Sequence, residues 1–520
     1  MNIGFVNIYP YRPHGFHAAY LEYLLKLLGH STFFLECGGS LDMCTAKLFR
    51  MNGTISCCKC QIGRVSKYSN NEVVTINCKI PKNRINKEYV KNRLQSSVLA
   101  FQREEKNFDY STNPKLADYV NQLEKNYLKT YYSTLDLIEK KKLQGLVVFN
   151  GRLDMTRAAI DAAKFAKINF LTHDRPSMGH GVQINVNQDI IGLNDRARMN
   201  LEFDDKPLTN FQAKLAAIEI SKRFLGKNFL EWKMNKTTKK IVEWPTSTKN
   251  KKILIVPSSI FERVTHEDWK TPWTLATEGF DLFLKSIGIK NDQVVVRFHP
   301  QWAQKKGNVT GESSHDLYLK WCKKNSYHFI DSHEKISTLD LIDKCDVLLI
   351  NCSTAGVEAG SLGKKIINIG PSGYDGCGFF KSLKTLEEIQ DFKGFENWMS
   401  QEEIIRKTLR YIYTALARYP QYFNHVRGIS TTECIAFEGG NPERLERIIK
   451  IGKIVADDDI IGSVDEEREI IYLIKNRAWE DIFKFSDDIK FDKNIKLNIS
   501  RSFPFNIIDY TRNYLKRGDL

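Results

Sequence analysis

Short apolar runs alternate with amphipathic stretches along most of the chain, in the rhythm of strands and helices. Residues 2–9 predict a buried strand, residues 16–29 an amphipathic helix ended by glycine, and "HSTFFLEC" a second strand. A polar stretch of helical pattern covers residues 80–140, and then "GLVVFNGR", "TRAAIDAAKFAKI" and "NFLTH" repeat the order strand, helix, strand. The first half of the chain therefore predicts parallel βαβ units.

The same alternation restarts after a polar, lysine-rich stretch at residues 233–252, which has the composition of a linker. Six parallel strands with intervening helices are predicted beyond it, among them "ILIVPSS", "QVVVRFHP", "YHFID" and "DVLLI". The prediction is an α/β protein with two Rossmann-like, doubly wound domains that face a cleft, over residues 1–245 and 250–400. Residues 401–520 are predicted to form a helical crossover and a C-terminal extension.

Composition and charge narrow the range of partners. The chain has 42% hydrophobic residues, which excludes a disordered protein, and its net charge of +15 favours a polyanionic partner. A lysine-rich, solvated surface explains the same charge equally well. A nucleic-acid-binding protein is disfavoured, because the lysines are scattered and are not clustered with aromatic residues.

The ends of the chain bear on its location. No segment resembles an export signal, and no apolar run approaches the roughly 18 residues of a spanning helix, so we expect a cytoplasmic protein. The last residues, "SFPFNIIDYTRNYLKRGDL", mix aromatic and basic side chains. We expect a packed helical appendage here, and peripheral contact with anionic lipid at the inner face of the cytoplasmic membrane is the alternative that this mixture suits.

The cysteines are crowded into the first part of the chain, where six of the 11 precede residue 80. In a reducing compartment such crowding suits a structural zinc site, which takes four sulfur or nitrogen ligands. The spacing matches only half of a zinc-ribbon pattern, so ordinary thiols are the alternative. The candidate zinc ligands are Cys37, Cys44, Cys57 and Cys60.

Polar side chains follow the predicted strands of the second half, at the ends where parallel sheets bind ligands. Arg297 can fork onto a phosphate, and His299 can donate a hydrogen bond to a phosphate or a sugar hydroxyl. Ser353 and Thr354 would open a helix whose free N–H groups favour an anion, and a plain N-cap is the alternative. The predicted diphosphate pocket comprises Ser258, Ser259, Arg297, His299, Ser353 and Thr354.

One acid lies inside the helix that Ser353 is predicted to cap. Glu358 stands about one and a half turns further on, far enough from a phosphate to avoid repelling it. From there its carboxylate can accept hydrogen bonds from a ribose, which makes a nucleotide the natural ligand. An acid that only complements the helix dipole is the alternative.

Two parts of the chain resemble a known family. The segment "VVVRFHPQ", followed after a helix by "STLDLIDKCDVLLINCSTAGVEAGSLGKKIINIG", resembles the donor half of capsule polysaccharide biosynthesis proteins, which are glycosyltransferases of the GT-B architecture and include bacterial Kdo transferases. The segment "FNGRLDMTRAAIDAAKFAKINFLTHDRP" is similar to their acceptor half. The likeness covers residues 145–180 and 253–375. It implies a nucleotide-sugar donor held by Arg297, His299, Ser353, Thr354 and Glu358, and transfer to a surface polysaccharide or lipid-linked glycan.

Transfer of this kind needs a base for the acceptor hydroxyl and a pocket that stabilises the departing phosphate. We predict Asp174 as the base and His14 as the alternative, because a carboxylate beside basic residues stays ionised. No Asp-x-Asp pattern stands among the strand ends, so we predict transfer without a metal cofactor. A glycerol- or ribitol-phosphate transferase of the teichoic-acid type is the alternative function. The further acceptor-side candidates are Arg152, His173, Arg175 and His17.

Overall fold

The structure, a computed structural model, describes residues 1–9, 12–44, 47, 53–64, 68, 72–82, 85–103, 105, 114–228, 243–263, 265–303, 311–487, 489 and 495–516. The strands are β1 (Asn2–Val6), β2 (Ser31–Glu36), β3 (Glu72–Thr75), β4 (Gly145–Phe149), β5 (Asn169–Asp174), β6 (Gln183–Val186), β7 (Ile253–Val256), β8 (Val294–Arg297), β9 (His328–Ile330), β10 (Val347–Ile350), β11 (Lys365–Ile369), β12 (Lys381–Leu383), β13 (Val426–Gly428), β14 (Cys434–Phe437) and β15 (Lys496–Leu497).

The helices are α1 (His14–Leu27), α2 (Gly53–Ile62), α3 (Lys87–Gln102), α4 (Pro114–Lys141), α5 (Asp154–Phe165), α6 (Asn194–Phe203), α7 (Asn210–Phe224), α8 (Ala276–Ser286), α9 (Glu312–Asn325), α10 (Thr338–Lys344), α11 (Ala355–Ser361), α12 (Leu386–Gln390), α13 (Gln401–Tyr413), α14 (Pro442–Ile451), α15 (Val464–Lys475), α16 (Trp479–Lys484) and α17 (Phe505–Lys516). Helices α1 and α5 lie close to the predicted positions. A π-helical turn, Thr414–Arg418, continues α13.

The first sheet contains six strands of the described chain, in the order β3-β2-β1-β4-β5-β6. Neighbouring strands are parallel except for β5 and β6. Apolar cores lie on both faces of this sheet, which explains why β4 is buried along its whole length and reads as a continuous apolar run. The order of strands reverses between β1 and β4, so their carboxyl ends form the switch point where such sheets bind ligands.

A tight turn after β4 shapes this switch point. Asn150 and Gly151 both have left-handed backbones, with φ of 62° and 73°. A Cβ at Gly151 would lie 2.7 Å from Thr172 Cγ2, so only glycine fits against β5 there. The turn therefore holds the Asn150 side chain beside the end of β5.

The second sheet contains six described strands in the order β12-β11-β10-β7-β8-β9, and every neighbouring pair is parallel. Its switch point lies between β7 and β10. An amide pair joins the two strand ends there, because Ser258 N donates to Asn351 Oδ1 at 2.6 Å and Asn351 Nδ2 donates to the Ser258 carbonyl at 2.9 Å. The two doubly wound sheets confirm the predicted fold class.

Helix α7 packs on the second sheet although it precedes the predicted domain boundary at 245–250. Its residues Ala213, Ala216 and Ile220 share one apolar core with Leu254 and Val256 of β7. The chain thus passes from the first sheet to the second between α6 and α7. The first half of the predicted linker, residues 233–242, lies outside the described residues.

The chain later returns to the first sheet. After α13 and its π-helical turn, helix α14 packs on α1, and Asn169 Nδ2 of β5 donates to the Ile449 carbonyl of α14 at 2.9 Å. A small antiparallel sheet, β13-β14-β15, and helix α17 complete the described chain. Of the described helices, none is both long enough and apolar enough to cross a bilayer.

Candidate active site at the facing edges of the two sheets

An imidazole and a carboxylate meet at the edge of the first sheet. His14, at the start of α1, has its Nδ1 3.4 Å from Oδ1 of Asp174, at the end of β5. Asn150 Nδ2 donates to Asp174 Oδ2 at 3.0 Å, and the Arg175 backbone N–H donates to Oδ1 at 2.7 Å. The carboxylate is therefore held in one orientation beside the imidazole, and the two base candidates are neighbours, although His14 Nδ1 has no hydrogen-bond partner among the described residues.

The surroundings of His14 keep its imidazole neutral. Burial lowers the pKa of His14, and the negative charge of Asp174 opposes this effect. The ring packs on Phe149 with centroids 4.3 Å apart. A neutral imidazole backed by a carboxylate can accept a proton and is stabilised once it carries one.

The other acceptor-side candidates surround this pair. His17 and His173 are each only 2% exposed, and their Nδ1 atoms have no hydrogen-bond partner. Burial lowers the pKa of His173 to about 3, with His14 contributing, so that ring is neutral at physiological pH. Arg152 Nη2 lies 3.5 Å from Oε1 of Glu262, which follows β7. This ion pair connects the edge of the first sheet with that of the second.

The Arg297 side chain forms its hydrogen bonds within the protein. Its guanidinium is 1% exposed and donates to the carbonyls of Ile330, Asp331 and Glu334 at 3.4, 2.5 and 3.0 Å. These bonds tie the end of β8 to the turn after β9. The predicted phosphate contact of Arg297 stays a prediction, and the geometry gives the side chain a structural role.

His299 keeps one donor for a ligand. Its Nδ1 accepts a hydrogen bond from the Gln301 backbone N–H at 3.1 Å, which places the ring proton on Nε2 when the imidazole is neutral. Burial, with the charges of Arg297 and Arg103, lowers the pKa of His299 to about 4. The neutral ring can therefore donate from Nε2 to a phosphate or a hydroxyl.

The lowered pKa of His299 predicts a loss of stability in acid. The unfolded chain binds this proton near pH 6.5, whereas the folded protein binds it only near pH 4, so the stabilising contribution is complete above pH 6.5 and is lost as the pH falls toward 4. Urea unfolding of wild type and His299→Gln at pH 7.5 and pH 5 should show about 2 kcal/mol less acid destabilisation in the variant. Equal losses in the two proteins would contradict this expectation.

Ser258 and Ser259 belong to a crowded turn after β7. Arg263 Nη2 donates to Ser258 Oγ at 3.0 Å and to the Ser259 carbonyl at 2.6 Å. Glu105 reaches this turn from the first half of the chain and accepts a hydrogen bond from the Ile260 backbone N–H at 3.0 Å. The hydroxyl of Ser259 accepts from Trp302 Nε1 at 2.7 Å. The turn is thus fixed by the protein on several sides.

Ser353 and Thr354 differ in their environments. Ser353 is buried and its Oγ accepts a 3.4 Å hydrogen bond from the Ala355 backbone N–H, whereas Thr354 is exposed and makes no side-chain cap bond at the start of α11. The preceding Cys352 has a left-handed backbone with φ of 67°, a conformation that costs energy in a residue other than glycine. Thr354 is therefore the hydroxyl that a ligand can reach directly.

Glu358 has a partner that the sequence did not indicate. Arg223 of α7 donates from Nη1 to Glu358 Oε1 at 2.5 Å, and both side chains are largely buried. The second oxygen, Oε2, is buried and has no hydrogen-bond partner. A buried carboxylate oxygen without a donor is costly, and a ligand hydroxyl would satisfy it. Glu358 lines neither of the two cavities described below, and the predicted ribose contact stays a prediction.

A cavity of about 260 Å³ opens beside the switch point of the second sheet. It adjoins a larger cavity of about 850 Å³, bounded on one side by α6, and the two share lining residues at 270–272. Most walls of the smaller cavity come from the loop after β7, which the strand-end pattern in the sequence did not single out. The sequence of this loop, "FERVTHEDWKTPW", alternates aromatic and basic residues. The residues that characterise the smaller cavity are Arg263, Trp269, Lys270, Trp273 and Asn351.

Arg196, which lines neither cavity, is a cation that the sequence did not indicate. Arg196 lies on α6, with its guanidinium 5.1 Å from the ring centroid of Tyr419. Cys352 is among the groups that raise the pKa of Arg196. Within the described part of the chain, Arg196 forms no ion pair with a carboxylate. It therefore brings a positive charge that the protein does not neutralise close to the end of β10.

The cysteines show no ligand cluster. Cys57 and Cys60 lie on α2, and Cys37, Cys44 and Cys60 pack against the apolar core of the first sheet. In the described residues, no three His, Cys, Asp or Glu side chains are grouped as a metal ion requires. The described geometry therefore does not assemble the predicted zinc ligands, and elemental analysis of the purified protein tests that prediction.

No protein-family model and no curated protein matches the chain. Among solved structures, it is similar to two KpsC enzymes of Thermosulfurimonas dismutans. The beta Kdo 2,4 transferase shares 13% identity over 65% of this chain and 94% of the other, with a TM-score of 0.31. The beta Kdo 2,7 transferase shares 14% over 68% and 95%, with a TM-score of 0.32.

MurG of Acinetobacter baumannii is also similar, with 9% identity over 80% of this chain and 95% of the other and a TM-score of 0.26. The function proposed for this chain rests on its own residues.

Proposed function

We propose that the protein is a glycosyltransferase that moves a sugar from a nucleotide-activated donor to a hydroxyl of a surface polysaccharide or lipid-linked glycan. The observation that carries this proposal is that His14 and Asp174 lie together at the edge of one doubly wound sheet, while a cavity rich in basic and aromatic residues lies at the edge of the other. The ion pair between Arg152 and Glu262 joins the two edges. A base in one half and an anion pocket in the other are what such a transfer requires.

In the proposed reaction, the first half of the chain supplies the base and the second half binds the departing phosphate. His14 accepts the proton of the acceptor hydroxyl while the acceptor oxygen forms a bond to the anomeric carbon of the donor. The bond from that carbon to the phosphate oxygen breaks, and the nucleotide leaves with the electron pair. Asp174 stabilises the imidazolium, and Arg263 and Lys270, which line the cavity, offset the charge of the departing phosphate. With these two cations lining the cavity, we expect transfer without a divalent metal.

The donor is the first thing to identify. A ligand at 100 times its Kd stabilises the folded protein by about 2.7 kcal/mol, which a thermal-shift screen of CMP, CDP, UDP and GDP compounds detects as a rise in Tm. The proposal expects at least one activated sugar to raise the Tm and to be consumed when a glycan acceptor is added. Stabilisation by CDP-glycerol or CDP-ribitol alone would instead indicate a polyol-phosphate transferase. No stabilisation by any nucleotide would contradict both functions.

The unpaired oxygen of Glu358 gives a prediction about donor binding. Replacing Glu358 by Gln removes the charge that accepts a ribose hydroxyl, and we expect donor affinity to fall about tenfold. The variant also loses its ion pair with Arg223, so its Tm should fall. Donor Kd and Tm are measured by calorimetry.

Arg223→Gln is the matched control, because it breaks the same ion pair and keeps the carboxylate. Its Tm should fall as in Glu358→Gln, while donor affinity stays close to wild type. Equal donor affinities in the two variants would show that Glu358 acts only through Arg223.

A further inference from the structure

Helix α17, near the C-terminal end of the chain, turns apolar side chains outward. Ile507, Ile508 and Tyr510 are 51, 43 and 75% exposed, and Phe503, just before the helix, is 76% exposed. A surface helix of a globular protein ordinarily does the reverse and buries its apolar side. The outward side of α17 is therefore suited to an apolar environment outside the folded chain.

The opposite side of α17 is firmly attached to the protein. Asp509 accepts hydrogen bonds from Arg501 Nε at 2.5 Å and Nη2 at 2.6 Å, and it also pairs with Arg12. Arg501 is itself 4% exposed. A bidentate Arg–Asp pair with a buried arginine fixes orientation strongly. Because these contacts hold one side of α17 against the protein, the apolar residues on its other side remain exposed.

The apolar surface extends beyond α17. Arg501 also donates from Nη1 to the carbonyl of Ile62, which places α17 beside the end of α2. Ile55 and Ile62 of α2 are 51 and 39% exposed, and Ile495, next to β15, is 69% exposed. Large exposed apolar surfaces of this kind mark interaction sites.

The charge of residues 495–520 indicates which kind of partner this apolar surface binds. Residues 495–520 contain five basic residues and two acidic ones; because Arg501 and Asp509 pair with each other, four basic residues and one acidic residue are left for a partner. Aromatic and aliphatic side chains on one side with basic residues along the segment are typical of helices that lie in the interface of an anionic bilayer. The basic residues are Lys496, Arg501, Arg512, Lys516 and Arg517, and the acidic ones are Asp509 and Asp519.

We propose that residues 495–516 and the end of α2 form a membrane-docking face, on which α17 lies in the plane of an anionic lipid bilayer. The face adjoins the edge of the first sheet, because Arg12, which pairs with Asp509, is two residues before His14. If the chain transfers sugars as proposed above, this placement brings a lipid-linked acceptor to His14. The docking itself does not depend on that activity.

The test is flotation of the full chain with vesicles of phosphatidylcholine, with and without phosphatidylglycerol. Wild type should float with the anionic vesicles at low salt and much less with neutral vesicles or at high salt, because the basic residues act through screened charge. The triple variant Phe503→Ser, Ile507→Ser, Tyr510→Ser should lose at least about tenfold in vesicle binding, since it removes the apolar contacts. Its Tm should match wild type, because all three side chains are exposed.

A second triple variant, Phe211→Ser, Ile451→Ser, Tyr472→Ser, removes comparably exposed apolar side chains elsewhere, and it should bind vesicles like wild type. The proposal fails if wild type does not float at low salt or if the two triple variants bind equally well. It also fails if sedimentation shows a dimer that only the first variant disrupts, because the face would then join two copies. Flotation needs no donor or acceptor, so its outcome is independent of the proposed transfer.

Discussion

Replacing His14 by Ala is expected to lower kcat by about 10² to 10⁴-fold, the range over which a positioned general base contributes to catalysis. Donor affinity should stay close to wild type, because His14 lies at the edge of the first sheet and the donor cavity lies at the second. Single-turnover transfer with saturating donor measures the first effect, and calorimetry measures the second. His328→Ala, at an exposed histidine of β9, is the control and should leave both quantities unchanged.

The Asp174→Asn variant tests whether Asp174 acts in catalysis through His14 or has only a structural role. The charge of Asp174 raises the pKa of His14 against the lowering effect of burial, so its removal should lower that pKa further. The acid limb of the kcat profile should then move to lower pH, while kcat at the plateau falls because the imidazolium is no longer stabilised. A variant that loses activity with an unmoved acid limb would assign Asp174 a purely structural role. A His14→Ala enzyme with near-normal kcat would refute the base assignment.

Much of the fold follows from the sequence because parallel strands with both faces covered are continuous apolar runs. β1, β4, β7 and β10 are of this kind, and each was predicted. The position of α7 could not be predicted, because the pattern of an amphipathic helix shows that it packs but not on which sheet. Its true partners, such as Leu254, lie across the segment that composition marks as a linker.

One part of the candidate site could likewise be predicted from the sequence, and another part could not. His14 and Asp174 could be placed together from the sequence, because both follow strands whose carboxyl ends share one edge. The three carbonyls that engage Arg297 depend on the turn after β9, and the partner of Glu358 is 135 residues away, so neither has a local signal. The walls of the cavity come from a loop without periodicity, where only composition hinted at a ligand.

Arg263 and Arg297 are two arginines of the same sheet edge with opposite expected effects. Arg263 lines the cavity, stacks on Trp269 with its guanidinium 4.7 Å from the ring centroid, and forms no ion pair among the described residues. Replacing Arg263 by Gln should weaken donor binding by about 10 to 100-fold, because a charge-assisted hydrogen bond to phosphate contributes about 1.5 to 3 kcal/mol. Its Tm without donor should fall only slightly, since the bonds it loses are to the Ser258 hydroxyl and the Ser259 carbonyl.

Arg297→Gln should show the reverse. The variant loses the hydrogen bonds to the carbonyls of Ile330, Asp331 and Glu334 that tie β8 to the turn after β9, so we expect the Tm to fall by several degrees. Donor affinity, measured below that Tm, should change much less than in Arg263→Gln. If Arg297→Gln instead loses donor affinity at an unchanged Tm and Arg263→Gln binds donor normally, then the phosphate lies at the end of β8, as the sequence alone predicts. The cavity beside β10 would then not be the donor site.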